Sequence, residues 1–424
     1  MTQFESAHKG LITQEMEIVA AEEGVSPEKI RLWVSEGRVV IPANPHHHKL
    51  HPAGIGSPLR IKVNANIGTS PQNSDISTEL EKIRLIESLK AESLMDLSIA
   101  GDLDKIRQTV IETTSLMVGT VPLYQVLTEY AEEPSSITPQ MILETIDNQG
   151  RQGVDFITVH CGIKKEALPL AEKRIMGIVS RGGSFLARWM KANNKENPLY
   201  THFDELCEIA RSHDMTLSLG DGLRPGAIAD ATDEAQLHEL KVLGELVLRA
   251  RENGVQVMVE GPGHVPLQDI RRNMELQNEW CHGAPFYVLG PLTIDSAPGY
   301  DHIVGAIGGA LAATYGASFL CYVTPAEHLR LPSPEDVREG VIASKIAART
   351  ADVALGRPRA LECEDLMSRR RHAFDWNGMF ELALDPVKPR ITREHSTHVQ
   401  KEECSMCGDF CALKMLDPAR DQRE

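Results

Sequence analysis

The chain predicts a closed (β/α)8 barrel, set between a small N-terminal helical region and a C-terminal helical tail that bears a cysteine cluster. Three observations predict it. Short apolar, β-branched runs recur from about residue 60 to residue 332, helical stretches lie between most of them, and their number suits a closed ring better than an open sheet. An open doubly wound sheet is the alternative. No Gly-x-Gly-x-x-Gly follows the first run, which argues against a dinucleotide-binding fold.

Residues 1–59 read as the N-terminal region. Ser26-Pro-Glu-Lys starts a helix, with a cap residue ahead of a proline at the first helical position. Pro42 to Pro58 is irregular and carries His46, His47, His48 and His51. It is expected to line the entrance to a site, with a metal-binding histidine run as the alternative.

Residues 60–332 are the expected barrel. Its apolar runs are Arg60–Asn66, Leu94–Ser98, Val118–Tyr124, Val154–His160, Ile175–Ser180, Thr216–Gly220, Val255–Glu260, Pro285–Leu289 and Ser318–Thr324. Ser77–Glu92, Thr138–Gly150, Pro198–His213, Asp233–Asn253 and His302–Tyr315 read as crossover helices.

Residues 333–424 are helical and charged. Ser333-Pro-Glu-Asp caps one helix, and Arg369-Arg-Arg reads as a solvated helix face. Thr392 to Val399 reads as a flexible tether, expected to let the following segment reach a distant or neighbouring active site. That segment is Cys404-Ser-Met-Cys407-Gly-Asp-Phe-Cys411. Three thiolates are one too few to close a four-cysteine site. A [4Fe–4S] cluster held this way keeps one iron open to a small molecule. The other reading is a structural zinc with His395 or His398 as fourth ligand.

The 60 acidic against 44 basic side chains give a formal charge of −16, which argues against nucleic acid or an anionic membrane as partner. No stretch approaches eighteen apolar residues, and Met1-Thr-Gln-Phe-Glu lacks a basic region followed by an apolar one. Cys161, Cys207, Cys281, Cys321 and Cys363 are scattered and read as small buried residues. A reducing, cytoplasmic location is expected.

In a barrel the carboxyl ends of the strands form the active face. The runs deliver there Asn66, Met95 with Asp96, Tyr124, His160, Ser180-Arg181-Gly182-Gly183, Asp221-Gly222-Leu223-Arg224, Glu260 with His264, Tyr287, and Glu327 with His328. So many polar groups on one rim point to an enzyme pocket. Ser180-Arg-Gly-Gly combines a hydroxyl, a guanidinium and two glycines, a set suited to cradling a phosphate. Asp221 and Arg224 offer an acceptor and a fork donor, or simply an ion pair closing the rim. His264 and His328 can share a divalent metal or serve as hydrogen-bonded rim residues. Glu260 and His160 are the candidates for proton transfer, being polar, rim-placed and titratable. Asp96 reads as a carboxylate of the barrel core.

The motifs Asn64-Ala-Asn66-Ile-Gly, Met95-Asp-Leu-Ser, Val121-Pro-Leu-Tyr124, Ser180-Arg-Gly-Gly, Asp221-Gly-Leu-Arg-Pro-Gly, Glu260-Gly-Pro-Gly-His264-Val-Pro, Tyr287-Val-Leu-Gly-Pro-Leu, Ala297-Pro-Gly-Tyr-Asp-His302, Cys321-Tyr-Val-Thr-Pro-Ala-Glu-His328 and the cysteine segment, in this order, resemble the phosphomethylpyrimidine synthase family. The resemblance covers residues 1 to about 415. It implies a (β/α)8 barrel with a C-terminal cluster segment, usually in a homodimer. It also implies a radical S-adenosylmethionine lyase acting on 5-aminoimidazole ribotide. S-adenosylmethionine would bind the open iron of a [4Fe–4S] cluster on Cys404, Cys407 and Cys411, with flavodoxin or ferredoxin as electron donor. By motif match, Asn66, Met95, Tyr124, His160, Ser180, Arg181, Gly182, Asp221, Gly222, Leu223, Arg224, Glu260 and Tyr287 would contact substrate. His264 and His328 would hold zinc.

Two activities share this scaffold: synthesis of hydroxymethylpyrimidine phosphate for thiamine, and synthesis of 5-hydroxybenzimidazole, the lower base of an anaerobic cobamide. The family's usual Met-Asp-Leu-Ser-Thr-Gly-Gly is here Met95-Asp-Leu-Ser-Ile99-Ala100-Gly101, and Thr-Asp-Ile-Ala-Pro-Gly is Ile294-Asp-Ser296-Ala-Pro-Gly. These changes are expected to alter the walls facing the rearranging intermediate, so 5-hydroxybenzimidazole synthase is the leading expectation and phosphomethylpyrimidine synthase the alternative. Outside the family stand a zinc-clipped barrel that only binds ligands and a zinc hydrolase using His264 and His328.

Overall fold

Eight parallel strands close into a ring in sequence order: β1 Lys62–Ile67, β2 Ser93–Asp96, β3 Met117–Thr120, β4 Phe156–Val159, β5 Thr216–Leu219, β6 Val257–Gly261, β7 Phe286–Leu289 and β8 Phe319–Cys321. Pairing of Lys62 with Phe319 and of Asn64 with Cys321 joins the last strand to the first. The computed structural model describes residues 1–71, 75–130, 134–396 and 402–415. The chain divides into two units, residues 1–351, which hold the barrel, and residues 352–424.

The strands are buried on nearly every position. Helices cover their outer faces, and the inner faces hold buried polar side chains such as Asn64, Thr158 and Ser218, so strands like Lys62–Ile67 and Thr216–Leu219 alternate apolar with polar residues. The crossover helices start where capping chemistry dictates. Asp75, Asp102, Thr138 and Asp233 each accept a backbone N–H from the first turn of Ile76–Ser88, Leu103–Thr113, Pro139–Gln152 and Glu234–Glu252, respectively.

Eight of the nine expected runs contain strands. The ninth, Ile175–Ser180, is a loop. Gly177 takes φ +63°, which breaks an extended path, and the N–H groups of Ile175 and Met176 go to the Asp230 carboxylate rather than to a ladder. The run through Tyr124 is also shorter than expected. β3 stops at Thr120, and Pro122 opens the helix Pro122–Glu129, so Tyr124 projects from a first helical turn.

The histidine-rich segment lies at the opposite end of the barrel from the one expected. His47 is buried between the Asp155 carboxylate (2.8 Å) and the Thr114 carbonyl (3.1 Å), residues that precede β4 and β3. Asn44 donates to the carbonyls of Gly150 and Val154 and takes the other Asp155 oxygen with its own N–H. Ile41 and Gln256 exchange two hydrogen bonds ahead of β6. The segment therefore plugs the amino-terminal face, where the His47 imidazole is a buried, hydrogen-bonded structural group. Behind it, Gln3–His8, Gln14–Glu23 and Pro27–Ser35 share a small apolar core with Ile41 and Leu59. Glu23 reaches the buried ammonium of Lys62 at the start of β1 (2.8 Å).

In the second unit, Pro358–His372, Trp376–Leu382 and Val387–Glu394 are helices. Arg369 and Arg370 pair with Asp365 and Asp375 on a solvated face. Part of the expected tether is helical, since Thr392 sits in the last turn of Val387–Glu394. Residues 397–401, including His398, lie outside the described residues. Among those described, no helix is long and apolar enough to cross a membrane.

Candidate active site

A cavity of about 270 Å³ opens at the carboxyl ends of the strands. Asn66 from β1, Met95 from β2, Glu260 from β6 and Tyr287 from β7 reach it from the sheet itself. Tyr124, His160, Arg181, Asp221 and Arg224 reach it from the segments beyond β3, β4 and β5. Ser180, Gly182, Gly222 and Leu223 are not among its lining residues; Ser180 and Leu223 are fully buried and shape the backbone around it.

Ser180 caps the helix Arg181–Asn193, accepting the Gly183 N–H at 3.1 Å. The N–H groups of such a first turn have no partner within the helix, and an anion satisfies them. The Arg181 guanidinium stands over the Tyr124 ring, 4.6 Å from its centroid. Gly182 rests on the His160 imidazole, where a Cβ would come within 2.5 Å of Nδ1. Only glycine lets the helix end sit this close.

Beside it lies an acidic centre. Glu260 Oε1 accepts the hydroxyls of Thr158 (2.6 Å) and Ser218 (2.9 Å), and Asp221 faces Arg224 at 3.4 Å. Burial raises both carboxyls, Asp221 most strongly, while Arg224 opposes the rise. Burial thus favours the protonated form of both carboxyls, and the one guanidinium beside them opposes it. Burial, with Arg224 nearby, depresses His160 to about 3. It is a neutral imidazole, and its buried Nδ1 has no hydrogen-bond partner. A neutral imidazole offers a ligand one N–H donor and one acceptor nitrogen.

Tyr287 accepts from Asn64 (2.8 Å) and faces the Met95 sulfur at 3.5 Å. Cys321 was read as merely buried. It is buried, and it also lines the cavity, 3.4 Å from Asn66 Nδ2, with its thiol pushed up to about 11. Thr158 was missed. It stands two residues before His160, so the two-residue period of a strand places both on one face.

The His264 and His328 rings lie 5.6 Å apart, and the Asp295 carboxylate holds His264 Nδ1 at 2.8 Å. A carboxylate behind one ring nitrogen leaves the other free to ligate, a common support for a metal-bound histidine. Among the described residues no three His, Cys, Asp or Glu side chains converge as a metal site. The pair thus fits an open site completed by other ligands, not a closed structural one. Cys404, Cys407 and Cys411 are all free thiols, at least partly exposed, on and around the turn Gly408–Phe410. Their side chains do not converge on one point either; three unpaired thiols are the donor type and number that a cluster with one open iron needs.

The fold and the site define a (β/α)8 barrel with a polar pocket at the carboxyl ends of its strands. The chain matches the Radical SAM ThiC family over residues 2–418 and belongs to it. Membership implies a [4Fe–4S] cluster, S-adenosylmethionine and a reductant. Phosphomethylpyrimidine synthases of Desulforamulus reducens and Moorella thermoacetica are each 55% identical over 421 residues, covering 98% of this chain and 98% of theirs. That of Syntrophus aciditrophicus is 53% identical over 420 residues, again with 98% of both chains covered.

These relatives overturn the expectation of 5-hydroxybenzimidazole synthase, and the structure gives the physical reason. Ile99 lines an adjoining cavity of about 380 Å³, which shares Asn66, Leu97, Arg181 and Glu327 with the central one, and does not line the central one itself. Ala100 has no positive φ, so a methyl group there costs nothing, and Ser296 is exposed. The altered residues do not form the walls of the central pocket.

Proposed function

We propose that the chain is a phosphomethylpyrimidine synthase that rearranges 5-aminoimidazole ribotide to hydroxymethylpyrimidine phosphate for thiamine. The observation that carries this reading is a capped helix end at Ser180–Gly183 packed against the Asp221–Arg224 turn, so that Arg181, Asp221 and Glu260 line one cavity. It is supported by full-length relatives of that name.

The helix end and Arg181 bind the ribotide phosphate, a charge-assisted contact. Asn66, Tyr287 and neutral His160 orient the imidazole by hydrogen bonds. Glu260, with Asp221 and Arg224 beside it, gives and takes protons at the rearranging ring. Cys404, Cys407 and Cys411 would hold a [4Fe–4S] cluster, which would supply the one-electron chemistry for reductive cleavage of S-adenosylmethionine. His264 and His328 would hold a zinc ion. The enzyme is taken to work in the cytoplasm as a homodimer, with reduced flavodoxin or ferredoxin as donor.

The test is an anaerobic incubation with the ribotide, S-adenosylmethionine and a low-potential reductant, with products identified by mass. Hydroxymethylpyrimidine phosphate is expected. Any other product, or none from cluster-replete protein, refutes the reading.

A further inference from the structure

Behind the substrate cavity lies a much smaller one, about 20 Å³, lined in part by Asp221, Glu239 and Glu260. A space of this size holds roughly one water when polar groups surround it. Gln236 and Asn273 supply further polar wall. Two of the carboxyls are more than nine-tenths buried and each has an oxygen without a hydrogen-bond partner: Asp221 Oδ2 and Glu239 Oε1.

Glu239 is not part of the substrate cavity. It stands on the helix Glu234–Glu252, and its Oε2 accepts the Leu223 N–H at 2.7 Å. Gly222 passes so close that a Cβ there would lie 3.3 Å from Oε1. Its charged and titratable neighbours are Asp221 and Glu260 at the small cavity, Arg224 and Arg174 nearby, and the Cys161 thiol beyond β4. Burial raises Glu239 to about 8 against the pull of these arginines and the loop N–H groups. Holding the Leu223 N–H needs only an acceptor, and a glutamine would serve. An ionisable group with a spare oxygen, on a space shared with two site carboxyls, is more than that task requires.

We propose that Glu239, through one water in this cavity, exchanges a proton with Glu260 and Asp221, so that the trio acts as a buried relay resetting the substrate-facing carboxyls. The inference rests on the proton-transfer role given to Glu260 above. When Glu260 gives its proton to substrate, the Glu239 O–H donates to the water and the water passes a proton to the Glu260 carboxylate. Glu239 is left as a carboxylate facing the Leu223 N–H. At each hop one O–H bond breaks and another forms, and no electron moves. The path runs backwards when a site carboxyl takes a proton from substrate, so steps that consume and release protons are balanced inside the protein.

Infrared difference spectroscopy across pH tests this without turnover. The wild-type enzyme is expected to show a protonated-carboxyl band that fades as pH rises through about 8. The band should vanish in Glu239→Gln and shift in Glu260→Gln. No band fading in that range, or one that survives in Glu239→Gln, overturns the relay. If Glu239→Gln does not fold, the wild-type titration and the Glu260→Gln shift decide it. In the assay, Glu239→Gln should keep KM within about twofold and lower kcat about tenfold, with the alkaline limb of the pH profile displaced. An unchanged kcat and profile also overturns it. Protein inactive with the ribotide would refute the proposed function, while the infrared result would still judge the relay.

Discussion

Gly183 and Gly222 meet backbone to backbone: a Cβ on Gly183 would lie 2.2 Å from the Gly222 carbonyl oxygen. The capped helix end and the Asp221–Arg224 turn are thereby fixed to one another. Neither can move without the other.

Gly183→Ala forces these two backbones apart. It should cost about 1–3 kcal/mol of stability, as overpacking does. Ribotide affinity should fall by about tenfold or more. Calorimetric titration with the ribotide, beside a thermal melt, checks both; unchanged affinity would show that the two segments bind independently.

Arg181→Ala should weaken ribotide binding by about 1.5–3 kcal/mol through loss of one charge-assisted contact. Tyr124→Leu, which leaves Arg181 without its aromatic platform, should give a smaller loss of about 0.5–1 kcal/mol. Dissociation constants for both variants test the ranking.

His328→Ala should strip a metal held by the histidine pair, and Asp295→Ala should weaken it by about tenfold or more by freeing His264. Metal analysis after dialysis against a chelator reads both. Equal zinc in wild type and His328→Ala would remove this residue as a ligand.

Cys407→Ser should leave the barrel folded and abolish the cluster, so that iron content and turnover fall together. Turnover that persists without iron would exclude radical chemistry.

His160 stays neutral down to about pH 3, whereas an unfolded chain protonates its histidines near 6.5. Between those values the unfolded state binds one more proton, so stability falls as pH drops. This group alone accounts for roughly 2 kcal/mol between pH 7.5 and pH 5. Urea midpoints across that range should fall less steeply in His160→Asn.

The strands were legible because short, largely apolar and β-branched runs recur between helical stretches, even where buried polar residues such as Asn64 and Ser218 interrupt them. Ile175–Ser180 carries the same composition, and only Gly177 with the distant Asp230 makes it a loop. The rim residues followed from the rule that barrel strands end at the active face. His47 misled because an imidazole reads alike at either end of a barrel, and its partner Asp155 is more than a hundred residues away. Glu239 gave no signal, since a glutamate in a charged amphipathic helix reads as a solvated one. Ile99 and Ala100 were visible as departures, but only the packing says which cavity Ile99 faces.

The plug built on Asn44 and His47 separates two kinds of damage. A lesion there touches no reacting group. It would leave fewer surviving molecules, each as fast as before, and would look in a cell like poor expression. Lesions at the far mouth would do the reverse, leaving abundant protein that works slowly.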